Sequence, residues 1–139
     1  MDTTFLVATD RSGGALDEVI EDNDDVAIAA VTLAELLVGV EVSSGRQRAR
    51  RQAFVEEIST GIPVLNYDIA VDEVHAQLLV ATRRSGQPRG AHDLIIAATA
   101  RASDREVVSA DASTFRGLPG VTVRSRSTEH REPSAGRVR

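Results

Sequence analysis

Four acidic residues stand where short apolar runs give way to helix-like segments: Asp2, Glu35, Asp93 and Asp111. They are far apart in the chain. In an alternating α/β fold, such junctions converge on one crevice beside the carboxyl ends of the strands. Clustered carboxylates resist joint ionisation unless a cation compensates them. Oxygen-only ligands suit Mg²⁺ or Mn²⁺. The pattern points to a metal-dependent hydrolase of the nuclease kind.

Each acid also has a purely local explanation. Thr32-Leu33-Ala34-Glu35 has the T-x-x-E form of a capping box, which Glu35 would close. Asp93 fits the N-cap of a helix starting at Leu94, and Asp111 fits a cap on the turn leading to Phe115. Asp2 fits a solvated terminal residue. The joint pattern is harder to set aside. Asp93 lies against the most apolar helix of the chain, where an uncompensated charge is costly. Glu35 and Asp111 each follow a buried-strand candidate. Asp22, Asp24 and Asp25 read instead as a solvated loop. Asp17, Glu18, Glu56, Glu57, Asp72 and Glu73 fall on polar helix faces.

The elements that must position these acids follow from hydrophobic periodicity. Thr3 to Ala8 reads as a helix start or strand remnant, broken by Ser12-Gly13-Gly14, with a short helix from Ala15 to Glu21. Val26 to Val31 is a continuous apolar run that fits a buried parallel strand. A helix begins at Thr32 and is interrupted at Gly45. The next, Arg46 to Ile58, turns Ala49, Ala53, Phe54 and Ile58 inward and a basic face outward. Ile62 to Leu65 is a short strand. Asp68 to Arg84 is a helix with Val71, Val74, Leu78 and Ala81 on one stripe, ended by Ser85-Gly86-Gln87-Pro88. Leu94 to Ala100 predicts a central buried helix. Glu106 to Ser109 and Val121 to Val123 are the last strands.

Composition removes several function classes. A chain of 139 residues fits one domain with a real core. The absence of Cys excludes disulfides and thiolate-bound zinc. All sixteen basic residues are Arg. Without Lys, a phosphate-binding P-loop, a protein kinase and a Schiff-base enzyme are disfavoured. The net charge of −5 argues against a general nucleic-acid binder, although a local Arg surface can still hold a phosphate backbone. No apolar run reaches membrane-spanning length, so a cytoplasmic protein is expected.

Taken together, certain segments resemble a PIN-domain ribonuclease of the VapC toxin type. They are Asp2-Thr3-Thr4-Phe5-Leu6, Val31-Thr32-Leu33-Ala34-Glu35-Leu36 with Gly39-Val40, and Ile62-Pro63-Val64-Leu65. Gly86-Gln87-Pro88, the run His92-Asp93-Leu94 through Ala100, and Val107 to Asp111 follow. Phe115 and Leu118-Pro119-Gly120-Val121 complete the set. The resemblance spans residues 2 to about 123 in order, and the helix beginning His92-Asp93-Leu94 is its most specific piece. It implies a flavodoxin-like three-layer α/β fold with a central parallel sheet. It also implies a Mg²⁺ or Mn²⁺ site formed by Asp2, Glu35, Asp93 and Asp111, with Thr3 or Thr4 as a supporting hydroxyl. Asp93 and Asp2 are the expected direct ligands, with Asp111 and Glu35 acting through metal-bound waters. Further implications are endonucleolytic cleavage of structured RNA (transfer or ribosomal RNA), homodimerisation, and inhibition by a cognate VapB-type antitoxin.

The family's central strand precedes its first Asp. Here only Met1 precedes Asp2, so the first strand is expected to be truncated, with the true start upstream. The nuclease domain is expected over residues 1–123, with a disordered Arg- and Ser-rich tail over 124–139. The candidate RNA contacts are Arg46, Arg48, Arg50 and Arg51 in one patch and Arg83, Arg84 and Arg89 in another, each weighed against an ordinary solvated helix face. His92 is expected to pack or to hydrogen-bond rather than to act as a base. The rival reading is a degenerate, non-catalytic PIN-like module that only binds RNA or a partner.

Overall fold

The structure, a computed structural model, describes residues 4–8 and 25–125. Asp2, Thr3, the helix expected over 15–21 and residues 126–139 lie outside the described residues. The strands are β1 (Thr4–Ala8), β2 (Asp25–Ala29), β3 (Val64–Leu65), β4 (Glu106–Ser109) and β5 (Val123–Ser125). The helices are α1 (Ala30–Glu41), α2 (Gly45–Gly61), α3 (Ile69–Ser85) and α4 (Ala91–Ala102), and a 3₁₀ turn covers Ala112–Thr114. The strands form one five-stranded sheet in the order β3-β2-β1-β4-β5. Every pairing is parallel.

Alternation along the strands builds three layers. Successive strand side chains point to opposite faces. Leu6, Ala27, Ala29 and Val107 meet Val71 and Leu78 of α3 and Leu94, Ala97, Ala98 and Ala100 of α4 on one side. Val7, Val26 and Ile28 meet Ile58 and Ile62 on the other, with Leu33, Leu36 and Phe54 packed around them. The continuous apolar runs of β1 and β2 are thus explained: both faces are covered.

The centre of the sheet differs from expectation. The segment expected as a helix start or strand remnant forms the central strand, Thr4–Ala8, which hydrogen-bonds to β2 on one side and β4 on the other. The aliphatic pair Leu6 and Val7 is fully buried there. Such a segment satisfies its backbone groups on both edges, which a strand remnant at the surface would not.

Three helices run close to expectation. Asp68 caps α3, its Oδ1 accepting from the Val71 N–H at 3.1 Å, and Gly86 ends it in the left-handed region at φ 72°. The break between α1 and α2 falls at residues 42–44, and Gly45, at φ 61°, opens α2. The inward face of α2 is corrected: Val55 and Ile58 are buried, whereas Ala49 and Ala53 are exposed. β5 begins at Val123, two residues later than Val121, and includes Arg124 and Ser125.

Candidate active site

Helix α1 leaves β2 directly, and its first residue is Ala30. The capping box is therefore absent. Ala29 stands at the N-cap without a side-chain cap bond. Thr32 is the third helical residue, 2 % exposed, with its Oγ1 lacking a hydrogen-bond partner. Glu35, one turn further on, has no capping duty and is exposed. Its carboxylate reaches α4, where Oε2 is hydrogen-bonded to His92 Nδ1.

Helix α4 begins after Gly90, so Asp93 is its third residue rather than its N-cap. A carboxylate in the first turn faces the positive end of the helix dipole. Asp93 is half-buried. A side chain at Gly90 would meet Asp93 Oδ2 at 3.0 Å, so the missing Cβ gives the carboxylate room. Asp111 follows β4 and leads into the 3₁₀ turn. Its N–H donates to Ser109 Oγ at 3.0 Å, and Ser113 Oγ donates to its Oδ1 at 2.8 Å.

These three acids, from the second turn of α1, the first turn of α4 and the connection after β4, feel one another. The Asp93 carboxyl is pushed above the usual carboxylate range, first by burial, then by the charges of Glu35 and Asp111, with His92 opposing the shift. Like charges that raise a neighbour's pKa create a place where a cation is favoured. Among the described residues, however, no group of three or more His, Asp or Glu side chains stands ready to ligate one ion directly. Glu35 is turned toward His92, and Ser113 holds Asp111. The donor chemistry fits a hard divalent ion that keeps several of its waters, which is how Mg²⁺ is usually held.

Thr4 is not brought to this cluster. It opens β1 opposite Asp25, the first residue of β2, while the cluster lies at the opposite, carboxyl ends of the strands, beyond Ala29 and Ser109. Asp2 and Thr3 lie outside the described residues.

The Arg candidates separate by what they touch. Arg51 Nη1 donates to the Gly39 carbonyl at 2.8 Å, bracing α2 against α1. Arg48 pairs with Glu41 at 3.7 Å. Arg89 donates through Nη1 to the Thr114 carbonyl at 2.5 Å and through Nη2 to the Arg116 carbonyl at 2.9 Å. It ties the α3–α4 connection to the turn that carries Asp111. Arg46, Arg50, Arg83 and Arg84 are exposed. The hydrogen bond expected of His92 is present, with Glu35 as the partner that the sequence did not name, and sequence reasoning missed the Arg89 clamp. The only signal for the clamp was a lone Arg between Pro88 and Gly90, a rigid connection that fixes where its side chain emerges.

Comparison with known proteins gives a consistent result. The PIN-domain family profile matches residues 1–120. Ribonuclease VapC5 of Mycobacterium tuberculosis is 36% identical over 122 residues, covering 87% of this chain and 87% of the relative. Ribonuclease VapC of Rickettsia bellii is 26% identical over 124 residues, covering 88% and 92%. Among solved structures, a member of the VapBC family of toxin–antitoxin systems, VapBC-5 from Mycobacterium tuberculosis, superposes with a TM-score of 0.76 at 28% identity, covering 88% of this chain and 98% of that one. DNA-bound VapBC from Salmonella typhimurium does so with a TM-score of 0.76 at 25% identity and the same coverage.

Proposed function

Because the chain belongs to the PIN-domain family, on its VapC branch, we propose that it is a divalent-metal-dependent endoribonuclease and the toxin of a toxin–antitoxin pair. The observation that carries the reading is the convergence of Glu35, Asp93 and Asp111, with Glu35 bonded to His92 beside Asp93 and the Glu35 and Asp111 charges adding to burial in raising the Asp93 pKa. Asp93 would hold a Mg²⁺ or Mn²⁺ ion directly, and Asp111 and Glu35 through water. Asp2 enters as a further ligand on the family match alone, which begins at residue 1. When bound, such an ion lowers the pKa of water and offsets charge on the scissile phosphate. The chain's own part is to gather the carboxylates, to hold Asp111 through Ser113, and to set Glu35 through His92.

The substrate in this proposal is structured RNA of the transfer or ribosomal kind. A relative from Shigella flexneri, 32% identical over 96 residues, is named a tRNA(fMet)-specific endonuclease. A VapB-type antitoxin as partner is supported by the VapBC relatives. Leu37, Val38 and Val42 leave apolar surface exposed along and just beyond α1, which suits a partner segment. A homodimer and a cytoplasmic setting complete the proposal. Among the described residues no helix is long and apolar enough to cross a membrane.

The second reading is a module that binds RNA or an antitoxin without cutting. Cleavage of transfer RNA with Mn²⁺ or Mg²⁺, compared with EDTA and with Asp93→Asn, separates the two.

A further inference from the structure

A cleft of about 540 Å³ opens beside Asp93, between the connection into α4 and the 3₁₀ turn. Gln87, Pro88 and Arg89 line one wall, and Ser113, Thr114 and Arg116 the other. The volume lies within the roughly 300–1,000 Å³ of ordinary small-ligand sites. It suits one nucleotide and not a duplex.

The polar groups of the cleft are unequally committed. The Arg89 guanidinium is spent on two backbone carbonyls. Ser113 Oγ is spent on Asp111. Among the described residues, the Arg116 guanidinium makes no hydrogen bond or ion pair, and the residue is exposed. Arg89 holds the Arg116 carbonyl, so the backbone from which this free cation projects is fixed. A positive group on a braced backbone, facing a cleft floored by a carboxylate, is placed for an anion that lies near the acids without entering among them. A guanidinium recognises a phosphate through paired N–H donors. Pro88 offers an apolar wall for a sugar or base.

We propose that this cleft seats the nucleotide flanking the scissile bond, with Arg116 holding its phosphate and Arg89 acting as the positioning residue that builds the wall. The inference rests on the nuclease reading for its place in catalysis. Its binding arm does not depend on cleavage.

The test is binding of purified transfer RNA in EDTA across a salt series, for the wild type, Arg116→Gln and Arg116→Lys. Each phosphate contact contributes about 0.7 to 0.9 to the slope of log Kd against log salt. Arg116→Gln is expected to lower the slope by about that much and to weaken binding roughly 10-fold at low salt. Arg116→Lys is expected to keep the slope, because the charge remains. In an active preparation with Mn²⁺, Arg116→Gln raises KM more than it lowers kcat. An unchanged slope and affinity in a folded Arg116→Gln protein overturns the proposal, as does a wild type that binds no transfer RNA. A wild type that binds with the expected slope difference but cuts nothing in Mn²⁺ overturns the nuclease reading and the cleft's place beside a scissile bond, and leaves the cleft assigned as a nucleotide-binding site with Arg116 on the phosphate.

Discussion

His92 on α4 is hydrogen-bonded through Nδ1 to the Glu35 carboxylate on α1, across 57 residues of chain. The pair sets the direction of one acid of the candidate site, and its His92 member opposes the rise in the Asp93 pKa that burial and the Glu35 and Asp111 charges cause. On the proposed reading His92 orients a carboxylate and does not abstract a proton. His92→Ala is expected to reduce cleavage about 3- to 10-fold and to leave it sensitive to EDTA. Abolition of an EDTA-resistant activity by the same change would make His92 a base in a metal-free mechanism.

Asp93 gives a sign for the pH dependence of stability. Its pKa is raised in the folded state, so the native chain holds the proton more tightly than the unfolded chain. The associated stabilisation is fully present below the unfolded pKa and is lost as pH rises through the folded one. At neutral pH the ionised group costs stability, discounted because the residue is only half-buried. Asp93→Asn should therefore raise the metal-free Tm at pH 7.5, by about 2 °C on the usual scaling. Added Mn²⁺ should raise the wild-type Tm more than that of the variant. A variant that melts lower than the wild type without metal contradicts this account of Asp93.

The Arg89 clamp predicts a loss that is both structural and catalytic. Removing two donors from the Thr114 and Arg116 carbonyls costs about 1–2 kcal/mol. Arg89→Ala should lower Tm by roughly 4–8 °C. It should also lower kcat, because the turn carrying Asp111 is released. Arg89→Lys, which cannot span both carbonyls, should fall between. An unchanged Tm in Arg89→Ala would show that the turn is held by other contacts.

The fourth carboxylate can be located by substitution. Asp2 heads an Asp-Thr-Thr run inside the family match from residue 1. Asp10 follows the carboxyl end of β1 by two residues. Asp2→Asn is expected to reduce cleavage at least about 100-fold, with Asp10→Asn within about 3-fold of wild type. The reverse result would assign the place to Asp10.

Much of the fold was legible where one signal dominated. Asp68 and Gly86 bracket α3 because a side-chain cap and a left-handed glycine each satisfy orphan backbone groups. The apolar run from Leu94 could only be a buried helix. Thr32 misled because a hydroxyl three residues before a Glu is also compatible with a helix that starts earlier and buries the Thr. Ala49 and Ala53 misled because Ala tolerates either face; Val55 and Ile58, which lose more by exposure, decided how α2 rolls. For Thr4–Ala8, five residues carry too little periodicity to distinguish strand from helix. At the candidate site, Glu35 and Asp111 stood out because each follows a strand, and Asp93 because it lies against the most apolar helix. The tasks of Arg51 and Arg89 did not, because a guanidinium on a backbone carbonyl leaves no mark in the sequence.

The central claim is that the acids gathered around Asp93 support metal-dependent RNA cleavage. The most direct measurement is cleavage of purified transfer RNA by the wild-type protein in Mn²⁺ or Mg²⁺, run beside EDTA and beside Asp93→Asn. The account predicts discrete cleavage products that disappear in both controls. Cleavage that survives EDTA or Asp93→Asn, or none from a cooperatively melting wild type, would contradict it.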